Sequence, residues 1–238
     1  MYKTSTNPYT NEKVKIPTNK NDKFNIDLFL KKNQGKQVIV VQGLGFVGAV
    51  MSIVCANSQE KEYAVIGVDL ANESNYWKIH SINSGKFPII SSDKKVERFF
   101  NLARKKNNFY ATFDPYAYSK ADYIIVDINL DVQKNSDKNG NLNSFNVDLN
   151  PFKSAVRTIG ENCKEDVLIL VETTVPPGTC SKVVAPIIEN ELSKRNLSND
   201  KVKIGHSYER VMPGPNYIDS IKNFYRVYSG NDEKSADA

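Results

Sequence analysis

The chain has 238 residues, 40% hydrophobic and 25% charged, and its 32 basic and 27 acidic side chains leave a net charge of +5. That composition supplies a core and excludes a disordered chain, and the length suits one large domain or one domain with appendages. The basic residues are dispersed without interleaved aromatics, and the longest apolar runs, 38–41 and 167–171, are far short of the roughly 20 residues of a membrane helix, so neither a nucleic acid nor a membrane is expected as a partner.

Cysteine usage points the same way. Cys55, Cys163 and Cys180 are far apart, and no CxxC or Cys/His ligand spacing occurs, so neither a disulfide scaffold nor a metal site is expected. Residues 1–20 are polar throughout and carry no secretory signal. The expected compartment is the reducing cytoplasm.

Residues 1–35 show no sustained period and read as an extended arm, with room for one short helix over 24–30. The pattern changes at residue 36. The β-branched run 36–42 reads as a buried strand, 46–57 as a helix of small and apolar residues, and 63–69 as a second buried strand. Strand, glycine-rich turn, helix and strand make a βαβ unit with parallel pairing and a right-handed crossover. The alternation continues with a helix over 92–106 capped by Ser91 or Ser92, strands over 109–113 and 121–127, and a polar loop over 134–146. A helix over 151–162 behind Asn150, a strand over 166–172, a helix over 180–195 and a closing strand over 201–206 follow. His80 reads as a packing or surface residue, and Tyr116 and Tyr118 as cover for the sheet edge. Residues 212–216 are irregular, and 231–238 read as the start of a helix. The fold class is α/β: a Rossmann-type doubly wound, mostly parallel sheet with helices on both faces, over residues 36–230.

Three segments carry chemistry. Gly43-Leu-Gly-Phe-Val-Gly48 matches G-x-G-x-x-G between a strand and a helix. There Gly43 permits the turn, Gly45 lets backbone approach a diphosphate, and Gly48 lets the helix pack on the strand. The amides of Phe46 and Val47 open the helix, whose N-terminus favours phosphate. Asp69, 21 residues beyond Gly48, ends the second strand where a carboxylate accepts from ribose hydroxyls. A carboxylate there repels a 2′-phosphate, and no Arg occurs in 70–76, so the expected cofactor is NAD rather than NADP. The second segment, Val171-Glu-Thr-Thr-Val-Pro-Pro-Gly-Thr179, brings two threonine hydroxyls to a strand's carboxyl end. The third, His206-Ser-Tyr-Glu-Arg-Val-Met-Pro-Gly214, brings Glu209 and Arg210 to the same edge, where a carboxylate tuned by burial serves as a general base on water.

Taken in order and ending in Arg226-Val-Tyr-Ser-Gly230, these motifs resemble the nucleotide-sugar dehydrogenases, across about residues 36–232. The resemblance implies oxidation of the C6 alcohol of a UDP-sugar to a carboxylate with two NAD⁺, through an aldehyde and a cysteine thioester, as in polysaccharide biosynthesis. It implies that Thr174 positions water and contacts cofactor, that Glu209 acts on that water, that Glu209 and Arg210 meet substrate, and that the glycines and Asp69 hold NAD. The Glu-Arg-Val-Met-Pro-Gly form implies a 2-acetamido sugar. Two positions depart from the family pattern: Tyr208 stands where proline precedes the glutamate, and Asn129-Leu-Asp131 where Thr-Pro is common. The family also has a long central helix, through which it dimerises, and a second domain with the nucleophilic cysteine. The resemblance therefore implies an amino-terminal, NAD-binding half, inactive and monomeric by itself, with 231–238 the beginning of the central helix. Two further readings stay open: a free-standing NAD-binding module that senses or scaffolds, and a short dehydrogenase acting on a smaller acid.

Overall fold

The structure, a computed structural model, describes residues 2–19, 21–130 and 132–238. Its centre is a seven-stranded sheet in the order β11-β10-β9-β6-β3-β4-β5. The strands are β3 (Gln37–Gln42), β4 (Tyr63–Val68), β5 (Phe109–Thr112), β6 (Tyr123–Val126), β9 (Leu168–Val171), β10 (Lys203–His206) and β11 (Ser229–Gly230). All pairings are parallel except β10 with β11. β3, β4, β6 and β9 are short, rich in Val, Ile and Leu, and largely buried, as the centre of a helix-covered parallel sheet demands.

Two apolar layers sandwich the sheet. One face carries α2 (Phe46–Ala56), α3 (Tyr76–Asn83), α4 (Lys94–Lys106) and α7 (Tyr217–Asn223) over Ile39, Val41, Val65 and Ala111. The other carries α1 (Lys23–Lys32), α5 (Asn150–Asn162) and α6 (Ala185–Lys194) over Val40, Ile66, Ile124 and Ile169. Alternate residues of each strand thus feed opposite cores. Phe152, Ile159, Ile188 and Leu192 are fully buried where α5 meets α6, and truncating such a side chain to Ala costs about 2–5 kcal/mol.

Register places the site. Gln42 pairs with both Val68 and Val126, Val126 with Val171, and Val171 with His206. The next residue of each chain, Gly43, Asp69, Asp127, Glu172 and Ser207, therefore stands at one level along the carboxyl edge. The chain runs from β3 outward to β5 and returns to β6 on the other side of β3, which puts Gly43 and Asp127 at the point where strand order reverses.

Several local expectations change. The stretch read as an arm folds as a hairpin, β1 (Thr4–Thr6) with β2 (Lys13–Lys15), and as α1. Ser5 anchors the hairpin: its buried hydroxyl donates to the Glu73 carbonyl and accepts the Trp77 N–H. Residues 134–146, read as loop, lie in an exposed hairpin of β7 (Val132–Ser136) and β8 (Leu142–Val147). One face sets Val132 against Val147 beside Phe145, largely exposed, and the Asp137 carboxylate shapes the turn by accepting the Asn139 and Asn141 N–H groups. The cap of α4 is Asp93, whose side chain accepts the Lys95 N–H, rather than a serine. The helix expected over 180–195 opens with a π-helical turn, Cys180–Val184; Pro186 has no N–H to continue an α ladder there. β10 does not close the sheet, because β11 pairs beyond it. Tyr118 is core rather than edge cover, 1% exposed, its hydroxyl donating to Gln42 Oε1. The last helix, α8 (Glu233–Ala236), is capped by Asp232 and presents Ser235 to the Ile204 N–H. No helix among the described residues is long and apolar enough to cross a membrane.

Candidate functional site

The glycine turn joins β3 to α2, and its three glycines face three different surroundings. Gly43 has φ +99°, and a side chain there would lie 2.3 Å from the Asp127 carbonyl oxygen. A side chain on Gly48 would lie 2.0 Å from the Gly43 carbonyl oxygen. Both positions are closed by backbone, so α2 sits hard against the turn. Gly45 is the opposite: a side chain would meet nothing within 4 Å. It opens on a cleft and caps α2 without any side-chain hydrogen bond, so the first amides of the helix, those of Phe46 and Val47 among them, have no protein cap. An open glycine below uncapped amides forms a cradle of the kind that suits a diphosphate.

Asp69 closes one side of the cradle. It is 7% exposed; Oδ2 accepts the Leu44 N–H at 3.1 Å and Lys78 Nζ at 2.5 Å, and Oδ1 accepts the Leu70 N–H. A carboxylate offers about four lone-pair sites, so capacity remains for a ribose hydroxyl. A cavity of about 400 Å³ extends from here, bounded by Gly45, Asp69, Lys78, Tyr118 and Ser154.

The other side of the cradle holds the second and third motifs. A cavity of about 150 Å³ is lined by Phe46, Val47, Asp127, Thr174 and Glu209, and shares Gly45 and Asp127 with the larger one. Of the two threonines expected at the cleft, only Thr174 is exposed. Thr173 is buried, its Oγ1 accepting the Ile128 N–H at 2.9 Å and lying 3.1 Å from the Val126 carbonyl, which ties β9 to the end of β6. Glu209 is half-buried; its N–H donates to the Glu172 carbonyl and its Oε2 accepts the Val211 N–H. Arg210 is exposed with its guanidinium 5.9 Å from the Tyr208 ring, outside the residues that line either cavity. Asn129 and Leu130 line the smaller cavity, while Asp131 lies outside the described residues.

A family model described as "UDP-glucose/GDP-mannose dehydrogenase family, NAD binding domain" matches residues 37–238. This chain belongs to that family. It is 30% identical over 200 residues to a UDP-N-acetyl-D-mannosamine dehydrogenase of Pyrococcus horikoshii, covering 83% of this chain and 42% of the relative. It is 33% identical over 162 residues to a GDP-mannose 6-dehydrogenase of Pseudomonas aeruginosa, covering 66% of this chain and 33% of that one. The crystal structure of an NDP-N-acetyl-D-galactosaminuronic acid dehydrogenase from Methanosarcina mazei shares the fold, with TM-score 0.72 at 24% identity, over 88% of this chain and 42% of that one. The chain thus spans less than half the length of these relatives. It carries the family's NAD-binding domain, in keeping with the sheet topology and the cofactor expected from the glycine turn.

The nucleotide-sugar dehydrogenase fold also gathers residues to which the sequence assigned no role at the site. Lys78 pairs with Asp69 from α3; nine residues separate them, so no motif announces the contact. Asp127 and Glu172 end β6 and β9 as Asp69 ends β4, and an acid after a buried strand was the available signal. Arg226, part of the final motif, reaches Glu172 Oε1 with Nη1 at 2.5 Å. Burial and the carboxylates of Glu172 and Glu209 hold Asp127 well above the usual carboxylate range, against the pull of Arg226. Burial likewise pushes Glu172 up to about 7, although Arg226 opposes the shift. The thiols are held protonated: burial, with the nearby Glu172 and Asp127 carboxylates, pushes Cys55 up to about 12, and burial pushes Cys163 up to about 11 and raises Cys180. None of the three is poised as a thiolate nucleophile at neutral pH.

Proposed function

We propose that this chain is the cofactor half of an enzyme that oxidises the C6 alcohol of a UDP-N-acetylhexosamine to the carboxylate with two NAD⁺, in the cytoplasm. The observation that carries the reading is the glycine turn, open at Gly45 and closed at Gly43 and Gly48, with Asp69 beside it. The name of the Pyrococcus horikoshii relative supports the sugar class.

When bound, NAD⁺ supplies the acceptor for hydride. The amides after Gly45, including those of Phe46 and Val47, hold the diphosphate, and Gly43 and Gly48 fix their direction. Asp69 accepts from the adenosine ribose and excludes a 2′-phosphate. Thr174, exposed beside Glu209 in the smaller cavity, positions water, and the Glu209 carboxylate takes its proton. Arg210, exposed beyond the cavity, offers its guanidinium to the sugar nucleotide. No activated thiol is present among these residues, so a covalent acyl step needs a cysteine from elsewhere.

The test is calorimetry of NAD⁺ with the 238-residue chain, followed by absorbance at the NADH band after UDP-N-acetylmannosamine is added. Binding without NADH formation is expected. Absence of NAD⁺ binding overturns the site, and sustained NADH formation overturns the half-enzyme reading.

A further inference from the structure

The cleft has an ionic floor that the proposed function leaves unused. Asp127 lies beneath the first turn of α2, its Cβ 3.1 Å from where a side chain on Gly48 would be, and it is the acid common to both cavities. It is 8% exposed, and both of its carboxyl oxygens are buried without a hydrogen-bond partner. Glu172 Oε2 and Arg226 Nη2 are buried and unpartnered as well, although Glu172 Oε1 and Arg226 Nη1 are joined at 2.5 Å.

The charged surroundings are lopsided. Asp127 is faced by Glu172 at the end of β9, by Glu209 in the loop after β10, and by Arg226 ahead of β11. The Tyr217 hydroxyl of α7 and the Cys55 thiol of α2 feel the same acids, and neither brings positive charge. Two buried carboxyls, Asp127 and Glu172, with the half-buried Glu209 beside them, thus share one guanidinium. Like charges crowded at low dielectric do not all ionise, and a proton is retained. The raised affinity of Asp127 and Glu172 for protons agrees with that geometry.

Position then decides what the proton is for. A diphosphate at Gly45 and an adenosine ribose at Asp69 send the other half of the dinucleotide past Asp127, toward Thr174 and Glu209. That half ends in a nicotinamide ring, which is cationic when oxidised and neutral when reduced. A buried carboxylate lacking a partner is complementary to the first and not to the second.

We propose that Asp127, with Glu172, holds a proton in the free protein and releases it when oxidised dinucleotide binds, so that the pair selects NAD⁺ over NADH more strongly as pH rises. The inference rests on the cofactor reading above. The step balances simply: one proton leaves for solvent as one positive ring enters, and no bond of the cofactor changes. By linkage, while the free pair is protonated and the bound pair ionised, NAD⁺ affinity rises up to about tenfold per pH unit and NADH affinity does not.

The experiment is calorimetry of the 238-residue chain with NAD⁺ and with NADH, in two buffers of equal pH near 6.5 and unlike ionisation enthalpy. The buffer dependence of the heat counts protons. Up to one proton released with NAD⁺, and none with NADH, is expected. Asp127→Asn should abolish the release while still binding NAD⁺; should that variant misfold, Glu172→Gln, checked for a native circular dichroism spectrum, should diminish it. Equal proton counts for the two dinucleotides overturn the inference and leave the cofactor site standing. Undiminished release in a folded variant also overturns it. Failure of both dinucleotides to bind overturns the inference together with the cofactor site.

Discussion

Asp69 Oδ2 sits 3.1 Å from the Leu44 amide nitrogen and 2.5 Å from Lys78 Nζ, so one oxygen ties the end of β4 both to the glycine turn and to α3. The pair is nearly closed to solvent, with side chains 9% and 12% exposed. The carboxylate sets the sign of the local charge, and the lysine is its neutralising partner. Replacing the acid would leave a cation where a 2′-phosphate would sit. Asp69→Ser is therefore expected to weaken NAD⁺ binding about tenfold or more, roughly 1.4 kcal/mol, and to strengthen NADP⁺ binding. Titration calorimetry with both dinucleotides reads the change. An unchanged ratio of the two affinities would remove Asp69 from the ribose site.

The glycine turn separates a binding role from a packing role. Gly45 has φ −74°, which alanine adopts freely, and its side-chain position is open. Gly45→Ala is expected to leave thermal stability within about 0.5 kcal/mol and to reduce NAD⁺ affinity at least tenfold. Gly48→Ala forces a carbon to 2.0 Å from a backbone oxygen, so the helix must shift; a loss of stability above about 3 kcal/mol is expected. Comparing melting curves with binding isotherms distinguishes the two. Equal stability losses would mean that Gly45 also serves packing.

The βαβ unit was legible because its signals are local. Residues 36–42 and 63–69 are apolar on both faces, and the glycines between them need no tertiary knowledge to interpret. The hairpin of β7 and β8 was not, because its strands are almost wholly exposed and alternate only over Phe145-Asn-Val147. Ser5 shows the same limit at longer range: its partners Glu73 and Trp77 are 68 and 72 residues away. At the site, the motifs announced Thr174 and Glu209, while the floor of Asp127, Glu172 and Arg226 arises only when register aligns the ends of β6 and β9. A strand-end acid announces itself when a glycine turn stands at the expected spacing before it, as at Asp69, and passes as a surface residue when no motif does.

Thr173 and Thr174 are neighbours with opposite duties. The Thr173 hydroxyl serves the Ile128 N–H and the carbonyls of Val126 and Ile128, all buried or partly buried. Thr173→Val keeps the shape and strands the Ile128 N–H, while the Val126 carbonyl keeps the Glu172 and Thr173 N–H groups, and the change is expected to cost about 1–3 kcal/mol in chemical denaturation. Thr174→Val faces the cleft and is expected to change stability by less than about 0.5 kcal/mol. The reverse order of losses would show that the turn is held by Thr174 instead.

The acid floor also gives stability a pH dependence of known sign. An unfolded chain ionises Glu172 near its ordinary value of 4.5, whereas the folded protein retains that proton up to about 7. Between those values the folded state binds more protons at Glu172 than the unfolded state does, so this group makes stability fall as pH rises from about 4.5 to about 7. Each unit of difference is worth about 1.4 kcal/mol, which makes the cost on the order of 3 kcal/mol at neutral pH. Glu172→Gln removes the titrating group and keeps an acceptor for Arg226. Its melting temperature relative to the parent is expected to rise from pH 5 to about pH 7 and to change little from there to pH 8, with the order of the two reversed or level at pH 5, where both side chains are neutral. Arg226→Met does the opposite: it removes the one cation of the cluster and should lower stability most at pH 8, where the unopposed carboxyls are forced to ionise. Parallel pH profiles for the parent and both variants would show that Glu172 binds its proton no more tightly in the folded protein than in the unfolded chain.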